Sequence, residues 1–141
     1  MAACKTPFSF ICRVYYADTD AGGVVYHANY LNFMERTRVE LLRELGHWQP
    51  PAFKDALFVV RSAELQYLAP ARLDDELRVT AEVMEMKRSS VRMRQQIIRS
   101  ADGQLLCEGH IWLVHVDTSI KPRAIPEPLR QVFAELATAG D

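Results

Sequence analysis

One helix-forming segment, set between a single strand and a long β-forming region, constrains this fold more than any other feature of the chain. At about 100° per residue, Tyr30, Phe33, Met34, Leu41 and Leu45 fall on one stripe, with Leu31 and Leu42 at its edge. Glu35, Arg36, Glu40, Arg43 and Glu44 lie mostly on the other side. The stripe spans about half the circumference, so the helix is deeply covered rather than laid on a surface. The spacing predicts a helix from His27 or Ala28 to Leu45, with Gly46 as a left-handed C-terminal cap. Arg38 falls inside the stripe, so its stem is expected to pack while its head reaches water or a partner subunit.

The flanking text is β. Phe8, Phe10, Cys12, Val14 and Tyr16 alternate with Ser9, Ile11, Arg13 and Tyr15, which predicts a strand from Phe8 to Tyr16 with one buried face. Leu57 to Leu68 is rich in Val, Leu and Tyr and stops at Pro70. Leu77, Val79, Ala81 and Val83 then alternate with charged and polar residues, as do Val91, Met93, Gln95 and Ile97. Asp102-Gly103 signals a hairpin before a last strand from Leu105 to Val116. Pro122, Pro126 and Pro128 close the sheet, and Leu129 to Ala137 suit a short final helix with Pro128 at its first turn. The order is one strand, one covered helix and four strands read as a meander. The expected class is α+β, a five-stranded antiparallel sheet curled around one long helix. So small a sheet leaves an edge open, which favours pairing into a dimer.

Bulk properties narrow the function. The 141 residues, 49% of them apolar, suit a single domain over residues 1–141. The 17 basic and 18 acidic residues nearly cancel, which argues against a nucleic-acid binder. The start MAACKTPFSF lacks the pattern of a signal peptide, and no apolar run approaches the roughly 18 residues of a membrane span. Cys4, Cys12 and Cys107 have neither metal-ligand nor redox spacing, and Cys12 and Cys107 read as packing residues in strands. A cytoplasmic protein is expected. His27, His47, His110 and His115 show no zinc spacing, and the G-x-S-x-G, G-x-G-x-x-G and P-loop patterns are absent. No metal or cofactor is expected.

Chemistry concentrates between Tyr15 and Tyr30, in YYADTDAGGVVYHANY. Two carboxylates, Asp18 and Asp20, precede two glycines and a helix start. Glycine lets backbone approach a ligand, and a helix start offers unpaired N–H donors to a carbonyl oxygen gaining charge. A carboxylate beside them can attack that carbonyl or take a proton from water. On spacing alone, the segment also reads as a loop whose aspartates only cap the helix.

The whole motif, Asp18-x-Asp20-x-x-Gly23-x-Val25-x-x-x-x-Tyr30 with Tyr26-His27-x-Asn29-Tyr30 inside it, resembles the 4-hydroxybenzoyl-CoA thioesterase family, in particular its Tol-Pal-associated branch. Tyr67-Leu-x-Pro70-Ala-Arg72-Leu-Asp74-Asp75 resembles the family's second landmark, and the similarity covers roughly residues 7 to 130. The resemblance implies a hotdog fold, acyl-CoA thioester hydrolysis, and a homotetramer built from dimers with active sites at the dimer interface. It maps the catalytic carboxylate onto Asp20, both the polarising backbone N–H and the branch histidine onto His27, and an active-site tyrosine onto Tyr16. Gly23, Val25 and Tyr26 are expected to bind the substrate, and Lys87 and Arg88 sit where the family places basic residues near the coenzyme A phosphates. Ala17 departs from the pattern, standing where many members carry an acidic residue.

Other readings stay open beside these. Lys87 and Arg88 also suit an ordinary charged turn, and Glu64 reads either as a second acid or as a solvated edge residue. Arg92, Arg94 and Arg99 read as the outward face of a strand. A hydratase of acyl thioesters fits the two-Asp loop poorly. The alternative to an enzyme is a binding or scaffold protein, linked to the cell envelope and phospholipid synthesis, that engages acyl carrier protein.

Overall fold

The computed structural model describes residues 7–48 and 56–137. Its elements are β1 (Phe8–Arg13), α1 (Asn29–Glu44), β2 (Ala56–Tyr67), β3 (Glu76–Met86), β4 (Ser90–Arg99), β5 (Leu105–Asp117) and α2 (Glu127–Leu136). The strands form one antiparallel sheet in the order β1-β3-β4-β5-β2. Leu77, Val79, Ala81 and Val83 of β3 are all buried, as the alternation predicted. On the covered face of α1, Tyr30, Phe33, Met34, Thr37 and Leu41 are buried, and the helix packs on β3 and β1. Each fully buried large side chain there contributes about 1.5–3 kcal/mol.

The ends of α1 follow from local chemistry. Gly46 adopts φ +80°, its N–H donates to the Arg43 carbonyl, and the His47 N–H reaches back to the Leu42 carbonyl. That pair of bonds is the Schellman closure expected of glycine after a helix. Gly109 lets the helix approach the sheet: a Cβ there would stand 2.9 Å from Cε of Met34.

Two expectations need correction. The last four strands are not a continuous meander. Only β3, β4 and β5 follow one another, while β2 pairs with β5 at the far edge. The segment from Leu68 to Asp75 crosses the end of the sheet to start β3. The Leu68 and Ala69 N–H groups donate to the Leu106 carbonyl, and Pro70, which has no N–H, leaves the ladder. The first strand ends at Arg13, not at Tyr16. Val14 exchanges backbone bonds with Asp74 and Asp75, and a 3-10 turn over Tyr16–Asp18 follows. Tyr16 is 82% exposed instead of lying on the buried face. The cause is Asp18, whose carboxylate captures the Tyr15 N–H and so offers the backbone an alternative to the ladder.

The exposed edges of the sheet are β1 and β2. Arg38 donates from Nη1 to Oε1 of the buried Gln95, 2.9 Å away, and loss of solvent pulls its pKa below the ordinary value. Cys12 and Cys107 are buried free thiols, and burial pushes the Cys107 pKa up to about 12. Among the described residues no helix is long and apolar enough to cross a membrane.

Candidate active site

The segment between β1 and α1 folds into a small hairpin. The Tyr26 N–H donates to the Asp18 carbonyl and the Asp20 N–H to the Val24 carbonyl, so the Asp18 and Val24 arms run antiparallel. Its tip is a turn in which the Gly23 N–H returns to the Asp20 carbonyl, with Gly23 at φ +79°. Only glycine takes that conformation without strain, and a three-residue loop closed by it is a favoured hairpin connection. Asp20 stands at the first position of this turn. Its Oδ1 accepts the Gly22 N–H at 2.8 Å, an Asx turn, and Oδ2 has no partner among the described residues. A Cβ on Gly22 would come within 3.2 Å of that Oδ1, so the lack of a side chain at Gly22 clears room for the carboxylate.

The two aspartates do different work. Asp18 is 7% exposed and is spent on structure, accepting the Tyr15 N–H and Nδ2 of Asn29, each at 2.9 Å. It ties the entry of the hairpin to the first residue of α1. Asp20 is exposed, with one carboxylate oxygen free among the described residues. This division answers the capping alternative, since neither carboxylate accepts from the backbone of α1.

The helix start narrows the available donors. The Val25 N–H is bound to the Ala71 carbonyl and the Tyr26 N–H to that of Asp18. Among the described residues, the N–H groups of His27 and Ala28 have no partner. Val25 is buried and docks the hairpin on the crossover segment, whereas Tyr26 is half exposed with its ring 4.5 Å from that of His27. Gly23 shapes the turn. Tyr16 stands in the open next to the loop.

Three contributors escaped the sequence reading. Tyr67, at the end of β2, donates its hydroxyl to the His27 carbonyl at 2.8 Å and packs edge-on to Tyr30. Asn29 anchors Asp18. Arg99 reaches the Pro70 carbonyl and the Asp75 carboxylate, fixing the crossover that receives Val25. Tyr67 and Asn29 both lay inside quoted motifs, but only contacts across the fold reveal their partners. Burial raises the pKa of the Tyr30 and Tyr67 hydroxyls, so both stay protonated at neutral pH.

Within one chain, Lys87 and Arg88 are not brought to this site. They occupy the turn after β3, whereas the hairpin lies beyond the other end of that strand, next to Asp75. Eleven residues of strand separate the two ends, about 36 Å. Glu64 also points elsewhere, lining a polar cleft of about 550 Å³ with Ser62, Gln66, Arg92 and His110 on the other face of the sheet.

Comparison with known proteins places the chain in a family. Residues 14–133 match the model of the Thioesterase-like superfamily. The acyl-CoA thioester hydrolase YbgC of Escherichia coli is 43% identical over 132 residues, covering 92% of this chain and 98% of its own. The acyl-CoA thioesterase YbgC of Haemophilus influenzae is 41% identical, covering 92% and 96%. A 1,4-dihydroxy-2-naphthoyl-CoA thioesterase from Synechocystis superposes with a TM-score of 0.85 at 22% identity, covering 93% of this chain and 98% of that one, a likeness of fold. By its hotdog architecture and these relatives, the chain belongs to the thioesterase-like superfamily, in the branch of the YbgC acyl-CoA thioesterases.

Proposed function

We propose that this protein hydrolyses acyl-CoA thioesters to a free carboxylic acid and coenzyme A, with Asp20 as the reacting carboxylate. One arrangement carries the reading: a carboxylate with a free oxygen at the hairpin tip, in a segment that runs directly into the unpaired amides of His27 and Ala28. The thioester oxygen accepts from the His27 N–H, at a helix start where the backbone dipoles favour developing negative charge. Asp20 then acts in one of two ways. As nucleophile it attacks the carbonyl carbon, the C–S bond breaks to release the thiolate, which takes a proton from solvent, and water opens the mixed anhydride to the free acid and the restored Asp20 carboxylate. As general base it takes a proton from the water that attacks. Either route consumes one water. The side chains of Tyr16 and His27 orient the acyl group or the water, and Gly23, Val25 and Tyr26 shape the approach.

Lys87 and Arg88 serve a site on a second copy. β2 is an open edge running from the end where Phe58 pairs with His115, which bonds Ser89, to the end where Tyr67 touches His27. Two-fold pairing of such edges is antiparallel, so each protomer's Lys87 turn is carried toward its partner's Asp20 loop. A dimer with interfacial sites, doubled into a tetramer, and a cytoplasmic location belong to the same proposal. Acyl carrier protein, which presents the same thioester, is a second possible donor of the acyl group.

The test is thiol release from a panel running from acetyl-CoA to palmitoyl-CoA, with benzoyl- and hydroxybenzoyl-CoA. Turnover of any member supports the proposal, and the preferred chain names the acyl pocket. Silence across the panel, together with tight binding of acyl carrier protein, would replace it with the scaffold role.

A further inference from the structure

The turn that carries Lys87 and Arg88 is held in an unusual way. All three of its carbonyls accept from donors of the C-terminal half of the chain. Nη2 of Arg130, in the first turn of α2, donates to the Lys87 carbonyl at 2.7 Å and to the Arg88 carbonyl at 2.8 Å. The Arg88 carbonyl also receives the Ile125 N–H, and the Ser89 carbonyl receives the His115 N–H at 2.7 Å. The turn itself is closed by the Lys87 N–H on the Ser90 carbonyl. Meanwhile the side chains of Lys87 and Arg88 stay exposed, with Lys87 resting over the Trp112 ring, 5.0 Å from its centroid, and 4.0 Å from Glu85.

A carbonyl oxygen left free on a turn repels an approaching anion. Here those oxygens are occupied, and the guanidinium that occupies two of them brings a third positive charge to the turn. We propose that Arg130 is a positioning residue for binding the phosphates of coenzyme A. It locks the Lys87–Arg88 turn with its carbonyls occupied and its cations exposed, and it strengthens the field of those cations. The inference rests on the reading of Lys87 and Arg88 as phosphate contacts.

Arg130→Gln removes the charge, whereas Arg130→Lys keeps the charge on a shorter side chain without the planar guanidinium. Steady-state kinetics are measured with an acyl-CoA and with the same acyl group on pantetheine, which lacks all the phosphates. For Arg130→Gln, KM for the acyl-CoA rises about fivefold, the worth of roughly one exposed charge beside a phosphate. Its kcat and its KM for the pantetheine thioester stay at the wild-type values. Arg130→Lys falls between the two proteins. Added salt raises KM for the acyl-CoA less steeply in Arg130→Gln than in wild type. A merely structural Arg130 would shift both substrates together, and that result, or no shift at all, overturns the inference. The double variant Lys87→Ala/Arg88→Ala separates the two failures. If it keeps the wild-type preference for acyl-CoA over the pantetheine thioester, the phosphate reading falls and takes the inference with it. If it loses that preference while Arg130→Gln keeps it, only the role of Arg130 is wrong.

Discussion

Replacing Asp18 by alanine should unfold the protein more easily than any change at Asp20, although the two aspartates stand two residues apart. The buried Asp18 carboxylate accepts two hydrogen bonds, from the Tyr15 N–H and Asn29 Nδ2. A hydrogen bond to a charged group is worth about 1.5–3 kcal/mol, and the alanine also leaves both donors without an acceptor. Water that enters the vacated space recovers part of this, so the net loss is about 3 kcal/mol. For a chain of this size that lowers Tm by about 10 °C. Asp20 is exposed and, among the described residues, accepts only the Gly22 N–H, so Asp20→Ala should cost no more than about 0.5 kcal/mol. Asp18→Asn keeps one acceptor oxygen but turns an NH₂ toward one of the two donors, so it belongs between wild type and Asp18→Ala. Calorimetric or urea unfolding of the four proteins gives the ranking directly. If Asp18→Ala melts with the wild type, or Asp20→Ala melts below it, the division of labour between these carboxylates is wrong.

The other predictions use the same contacts. Gly22→Ala places a methyl 3.2 Å from Asp20 Oδ1, so kcat should drop several-fold while Tm, measured alongside, changes little. Gly109→Ala drives a methyl to 2.9 Å from Cε of Met34 and should lower stability by about 1–3 kcal/mol in urea unfolding, with Met34→Ala in the same chain restoring part of the loss. The Gln96 amide, with help from His110, holds the Glu108 carboxyl below its ordinary value of 4.5 against the opposing effect of burial. The unfolded chain therefore takes up that proton first as pH falls. This contribution is complete above pH 4.5 and is lost as pH drops through the lower folded value. Glu108→Gln should accordingly flatten the acid limb of a plot of stability against pH, and an unchanged limb would rule the contact out.

What the sequence made legible was whatever depends on period and on neighbours in the chain. The covered stripe of α1, the alternation of β3 and the cap at Gly46 each follow from residues within a turn or two of one another. The placement of β2 beside β5 did not show, because periodicity states which face of a strand is buried and not which strand lies next to it. Tyr16 looked like one more residue of an alternating strand until the Asp18 side chain competed for the backbone. The pairing of aspartates at the site was visible, but their separate duties were not. That distinction arises from burial, which brings Asn29 to Asp18 and leaves Asp20 at a hairpin tip. Tyr67, forty residues from His27 in the chain, is a site neighbour only because the β2 edge ends against the helix start.

The most direct test of the central claim is thiol release by Asp20→Asn, compared with the wild type on the acyl-CoA that the panel selects, with both proteins shown to melt at the same temperature. The account predicts that kcat falls by at least about a thousandfold, since a carboxylate that serves as nucleophile or base has no substitute in the loop. An Asp20→Asn protein that turns over within a few-fold of the wild type would remove Asp20 from the chemistry and leave the hairpin a purely structural feature.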